Sequence, residues 1–154
     1  MNDFEQQDIV ESAVFKLHRA TALVDRVADR YLQEHHGIRY SGFLVLLTVG
    51  TEGQQTQRQI ADRLDVSRAS ITQRLGRLLH DGLVTARPHP DDARANTISL
   101  SGKGAALLER AWQGLESRQD GVDAGVDVKV LIQQLDRIID NALRALTADD
   151  RDRP

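Results

Sequence analysis

Residues 56–100 read TQRQIADRLDVSRASITQRLGRLLHDGLVTARPHPDDARANTISL, and the order of elements in this stretch decides the fold. Thr56, with Gln59 three residues on, is a helix-start signal, and Ser67 ahead of a new apolar period is a second. Both side chains accept from backbone N–H groups that the first turn of a helix leaves unpaired. The chain therefore stops and restarts as helix around Asp65 and Val66. In the first helix Ile60, Ala61 and Leu64 share the inward face. In the second, from about Arg68 to Asp81, the apolar stripe is Ile71, Leu75, Leu78 and Leu79, all predicted buried. Its opposite face carries Ala69, Ser70, Gln73, Gly76 and Arg77, flanked by Arg68, Thr72 and Arg74.

Gly82 is a helix-ending glycine, and Leu83 to Arg87 and Thr97 to Leu100 read as paired strands. The intervening PHPDDARAN, with two prolines and paired Asp, predicts a projecting loop that cannot continue the ladder. A helix, a brief turn, a second helix and a hairpin wing are the parts that place side chains in a DNA major groove. Small residues at 69, 70 and 76 permit close approach to base edges or backbone. Gln73 suits adenine, Arg suits guanine, and Ser and Thr hydroxyls suit phosphate or either base class. Arg94 in the wing tip suits the negative potential of a narrow minor groove. The candidate DNA-contacting residues are thus Ser67, Arg68, Ala69, Ser70, Thr72, Gln73, Arg74 and Arg77 on the second helix, and Arg87, His89 and Arg94 on the wing. Alone, the helix face favours an ordinary solvated surface; the hairpin behind it shifts the reading to a DNA reader.

Outward from this stretch the chain is helical. Apolar residues at Val10, Ala13, Val14, Leu17, Ala20, Val24, Val27, Ala28 and Tyr31 predict a long N-terminal helix closed near Gly37. Phe43 to Leu47 is the longest purely apolar run and lies in a buried helix over about 40–49, with Gly50 and Gly53 breaking the pattern before a short link that adds a minor strand to the wing. After the wing, Ser101 caps a helix through Leu107, Leu108, Ala111, Trp112 and Leu115, with Gly102-Lys103-Gly104 as its loose start. Asp127 caps a last helix bearing Leu131, Leu135, Ile138, Ile139, Ala142 and Leu146. These long helices exceed what a small winged lobe needs to close its own core, which points to a shared dimer bundle. The expected fold is mainly α with a small β-hairpin wing. It is a single domain over 1–154, with a winged helix-turn-helix lobe over 39–100 flanked by dimerisation helices over 8–36 and 101–146.

At 154 residues, with 40% hydrophobic and 28% charged residues, the chain has the composition of one soluble globular unit. The acidic MNDFEQQDIVE start lacks a basic region followed by an apolar core, so no signal peptide is expected and the predicted location is cytoplasmic, without a membrane partner. Net charge is −3, but residues 56–95 carry 7 basic against 5 acidic groups and form the one net-positive segment. There is no cysteine, hence no disulfide or thiolate metal site. His35 and His36 are adjacent and His80 and His89 lie nine apart, without metal-site spacing. With no phosphate-cradling loop and no nucleophile elbow either, no cofactor, no metal and no enzymatic activity are expected.

The segment QIADRLDVSRASITQRLGRLLHDGLVTARPHPDDARANTISLSGKG resembles the winged helix-turn-helix core of the MarR family of transcriptional regulators. Val66-Ser67 at the start of the recognition helix, RLLHDGLV from Arg77 to Val84, and Asp92-Ala93-Arg94 ahead of Ser99-Leu100-Ser101 carry the resemblance. It implies a homodimer on a pseudo-palindromic operator, usually a repressor, with the terminal helices at the dimer interface, Ser67 to Arg77 in the major groove and Arg94 in the minor groove. Departures are Ala93, where many members carry Arg, and Gln73, where a basic residue is frequent. Absence of Cys excludes the thiol-oxidation branch. The resemblance also implies a small amphipathic or aromatic effector in a cleft between dimer helices and lobe, for which His18, Arg19, His35, His36, Arg39, Tyr40 and Trp112 are candidates. The acidic net charge and missing wing arginine motivate one alternative, a winged-helix protein-interaction module without operator binding.

Overall fold

The computed structural model describes residues 11–90 and 92–149, and only the backbone of residues 92–94, 148 and 149. The elements are α1 (Ala13–His36), α2 (Tyr40–Glu52), β1 (Gln55–Thr56), α3 (Gln57–Arg63), α4 (Arg68–His80), β2 (Val84–His89), β3 (Asp92–Leu100), α5 (Gly102–Ser117) and α6 (Val128–Asp149). Packing divides the chain into two units, Met1–Arg118 and Gln119–Pro154. No helix among the described residues is long and apolar enough to cross a membrane.

Side chains from every helix of the first unit meet in one core. Phe43, Val45 and Leu46 of α2 sit among Leu32 of α1, Ile60 and Ala61 of α3, Ile71, Leu75 and Leu78 of α4, Ile98 of β3 and Ala111 of α5. The helices begin where local chemistry starts them. Ser12, Thr56, Ser67 and Ser101 each accept from a backbone N–H three residues on, and Thr56 with Gln59 completes a capping box. Ser12 starts α1 at Ala13, later than the apolar seam predicts, while residues 8–10 of that expectation lie outside the described residues. Gly37, with φ 64°, closes α1 in the left-handed conformation.

Three sequence expectations are corrected by packing. Gly50 does not break α2, which runs to Glu52; a Cβ there would come within 2.5 Å of Leu108 Cδ2, so this glycine serves close helix packing. The start of α5 is tightly held, because Ser101 N donates to Leu83 O at 3.1 Å, Ser101 Oγ to Gly82 O at 2.7 Å and Lys103 Nζ to Asp81 O at 2.8 Å. Pro88 and His89 of β2 and residues 92–96 of β3 continue the ladder that the prolines were expected to stop. The sheet order is β1-β3-β2, so Pro88 lies on an edge strand, where a missing N–H is tolerated, and it stands opposite Asn96. The minor strand is present as expected, with Gln55 opposite Ile98 and Thr56 opposite Thr97.

The second unit contains α6. Asp127 Oδ1 accepts from Val130 N at 3.0 Å and caps its start, after a turn in which Gly121 and Gly125 take positive φ. Of its apolar side chains Val130, Leu131, Ile132, Ile138, Ile139, Leu143 and Leu146 are all exposed.

Candidate nucleic-acid interface

The outer face of α4 is mounted on a turn that only a few residue types allow. Leu64 ends α3, Asp65 adopts φ 50°, and Val66 N donates to Ala61 O at 3.1 Å. A short polar side chain tolerates the left-handed region better than most, so Asp65 reverses the chain without a glycine. Ser67 Oγ then accepts from Ser70 N at 3.2 Å and fixes where α4 begins. Ile71, Leu75 and Leu78 anchor the inner face at i, i+4 and i+7. Leu79, predicted to join them, is 40% exposed, because it lies at the margin of the stripe near the helix end.

Arg68, Ala69, Thr72, Gln73, Gly76 and Arg77 are exposed on the other side of α4, and Ser70 and Arg74 are half-buried on its flank. Gln57 of α3 donates to the Thr72 hydroxyl, which itself donates to Arg68 O at 2.9 Å and so ties the two helices across their outer edge. Arg77 lies 3.9 Å from Asp81, one turn on, an exposed pair that holds the guanidinium weakly. Arg68 and Arg74 enter no ion pair among the described residues. The glycine at 76 has open space around its α-carbon, leaving a notch in the exposed face.

On the wing, Arg87 is exposed on β2 opposite Thr97, and His89 is half-buried opposite Asp92. One step from Pro88 to His89 on β2 is matched by the step from Asn96 to Asp92 on β3, so Ala93, Arg94 and Ala95 form a bulge at the distal end of the hairpin. Arg94 thus belongs to a strand bulge and not to an irregular loop; its side chain lies outside the described residues.

Beside the outer face of α4 lies a cleft of about 700 Å³ that the sequence did not disclose. The α4 flank (Ser70, Gln73, Arg74, Arg77) forms one wall, and His36, Arg39 and Lys103 face it from α1, the α1–α2 turn and α5. Arg39 is 3.7 Å from Asp29, whose other oxygen accepts from Tyr40 N at 2.8 Å and so caps α2. Burial pushes the His36 imidazole below its ordinary pKa, with the charges of His35 and Arg110 acting in the same direction, so it is neutral near pH 7. Its Nε2 is buried and has no hydrogen-bond partner among the described residues. Against one carboxylate, Asp81, the lining sets Arg39, Arg74, Arg77 and Lys103.

The effector candidates from the sequence do not converge on this cleft within one chain. Arg39 and His36 line it, whereas His18 and Arg19 are exposed on α1. His35 stacks on Tyr31 at 4.4 Å, and Tyr40 stacks on Phe43 at 6.3 Å, its hydroxyl pKa raised by burial and then by Asp25. Trp112 faces a separate groove along another face of α5. Helical spacing alone could not separate these positions, because their neighbours come from other elements.

Residues 36–95 match the MarR family model, a span covering the α4 face and most of the wing. The multiple antibiotic resistance protein MarR of Salmonella typhimurium is 29% identical over 103 residues, 65% of this chain and 72% of that protein. Over this span the chain is similar to the MarR family. The HTH-type transcriptional repressor YetL of Bacillus subtilis is 34% identical over 79 residues, 51% of this chain and 47% of the repressor. The overoxidized AbfR bound to DNA superposes with a TM-score of 0.68 at 26% identity, covering 92% of this chain and 99% of that one. The MarR relatives are regulators and not enzymes, and they favour operator binding over the protein-interaction alternative that the acidic net charge raised.

Proposed function

We propose that this chain is a cytoplasmic, dimeric, sequence-specific DNA-binding regulator that acts as a repressor on a pseudo-palindromic operator. The observation that carries the reading is the exposed face of α4, which offers Arg68, Thr72, Gln73 and Arg77 beside a long hairpin, in a chain whose fold matches a DNA-bound MarR-family protein. Gln73 and the arginines read base edges in the major groove, Ser67 and Ser70 reach phosphate, and the wing, with Arg87, His89 and the Arg94 bulge, follows the adjacent minor groove. Two copies joined through α6 and the N-terminal half of α1 present two such faces. The exposed apolar side chains of both helices support that pairing.

The cationic cleft supports a small anionic effector. Arg74 and Arg77 belong both to the cleft wall and to the α4 flank, so an anion held there competes directly with phosphate for the same guanidinium groups. Such a ligand releases DNA to the extent that it binds the free state more tightly. The test is selection of duplexes from a random pool by the full chain, followed by anisotropy titrations of the selected duplex at several salt concentrations. An enriched inverted repeat and affinity falling steeply with salt are expected. Binding indifferent to both sequence and salt overturns the reading.

A further inference from the structure

The groove that holds Trp112 differs from the cationic cleft in both lining and charge. It encloses about 790 Å³, within the range of small-molecule sites, between the end of α2, α3, the end of β3 and α5. Its walls are Leu47, Leu64, Leu100 and Leu108. The two hydroxyls in the lining are already committed, since Thr48 donates to Leu44 O and Thr51 to Leu47 O, each at 2.9 Å. The interior therefore suits an apolar body and offers it little hydrogen bonding.

The rim decides the charge of that body. Arg63 and Glu52 form an ion pair at 2.5 Å and neutralise one another. Glu109 enters no ion pair among the described residues and is the remaining carboxylate of the lining. It stands three residues before Trp112 on α5, so the carboxylate and the indole share one helix face. An indole face attracts cations through its quadrupole, and a carboxylate beside it adds to that attraction while repelling anions. Trp112 is 42% exposed, which leaves its ring open to a ligand.

We propose that this groove is a second small-molecule site, taking an amphipathic organic cation whose apolar body lies against Leu47, Leu64 and Leu108 and whose positive group meets the Trp112–Glu109 face. The assignment is independent of the operator reading and of the anionic effector.

Trp112 is the only tryptophan in the chain, so its emission reports on this groove alone. The full chain is titrated with tetraphenylphosphonium and, separately, with the isosteric anion tetraphenylborate, following Trp112 emission. Saturable change with the cation only is expected. Glu109→Gln should weaken it about three- to fivefold, in keeping with a partly exposed charge contact. Ala105→Phe, which fills the groove from an exposed position of α5, should abolish it. Equal response to tetraphenylborate, absence of saturation, or titrations unchanged by Glu109→Gln overturns the proposal. Circular dichroism establishes that the variants are folded, and the Glu109→Gln titration decides even if Ala105→Phe is not.

Discussion

The winged lobe and the long helices near the two ends of the chain treat their apolar residues in opposite ways. In α4 Ile71, Leu75 and Leu78 are at most 4% exposed, while in α6 Ile139, Leu143 and Leu146 are 54%, 57% and 67% exposed. Helix α1 shows both behaviours along its length: Leu32 is fully buried in the lobe core, whereas Val14 is 80% exposed and Phe15, Leu17, Leu23 and Val24 are exposed with it. A buried aliphatic side chain stabilises by about 1.5–3 kcal/mol relative to an exposed one. The lobe thus buries its own apolar residues, while the stripes on α1 and α6 are exposed in the single chain and are the surfaces that the proposed dimer would cover. That difference separates the side chains that fold the lobe from those assigned to the proposed pairing.

The strongest way to break the lobe is at Gly104, where a Cβ would come within 1.9 Å of the Leu83 carbonyl oxygen, a backbone atom that cannot step aside. Gly104→Val is expected to destabilise by about 3 kcal/mol or more in urea unfolding. At Gly114 the obstacle is the far end of the Tyr31 side chain, which can move, so Gly114→Ala should cost clearly less; equal losses at the two sites contradict this account of the α5 packing.

Sharper for the comparison is Ile139→Glu combined with Leu143→Glu on α6. Sedimentation velocity should show the dimer dissociating at concentrations about 100-fold above those of the parent, with the lobe still folded by near-UV circular dichroism. A dimer of unchanged strength removes α6 from the interface. Ser67→Ala then tests the start of the recognition helix: loss of the cap should cost about 1 kcal/mol, seen as a lower Tm without loss of the dimer.

The smallest effect concerns His36. Its pKa is depressed in the folded chain, so the unfolded chain binds more protons as pH falls through the ordinary histidine value of 6.5. Stability contributed by neutral His36 is complete above that value and declines below it, towards the depressed folded pKa. The Tm of His36→Gln measured between pH 7.5 and 5.5 should fall less than that of the parent; parallel curves contradict the assignment.

Much of this was legible in the sequence wherever the determining chemistry is local. Ser67, Thr56, Ser101 and Asp127 each start a helix by capping N–H groups a few residues away, and their side chains accept those bonds in the structure. Misreadings came where packing overrides local preference. Gly50 stays helical because Leu108 needs its space, and Pro88 stays in a strand because β2 is an edge. The cationic cleft was invisible for a related reason: Arg39, Arg74 and Lys103 are far apart in sequence and meet only when α4 packs between the α1–α2 turn and the start of α5. The Glu109–Trp112 face was within reach of helical spacing, but of its wall leucines only Leu108 is on α5, while Leu47, Leu64 and Leu100 come from elsewhere in the lobe.

The claim that two copies of the α4 face and its wing read DNA as a pair is tested most directly by hydroxyl-radical footprinting of the full chain on a selected duplex. Two protected patches related by a dyad, with recognition-helix centres about one helical turn apart and protection extending into the flanking minor grooves, are the expected result. A single protected patch without two-fold symmetry, or protection unchanged when Gln73 and Arg77 are both replaced by Ala, would contradict it.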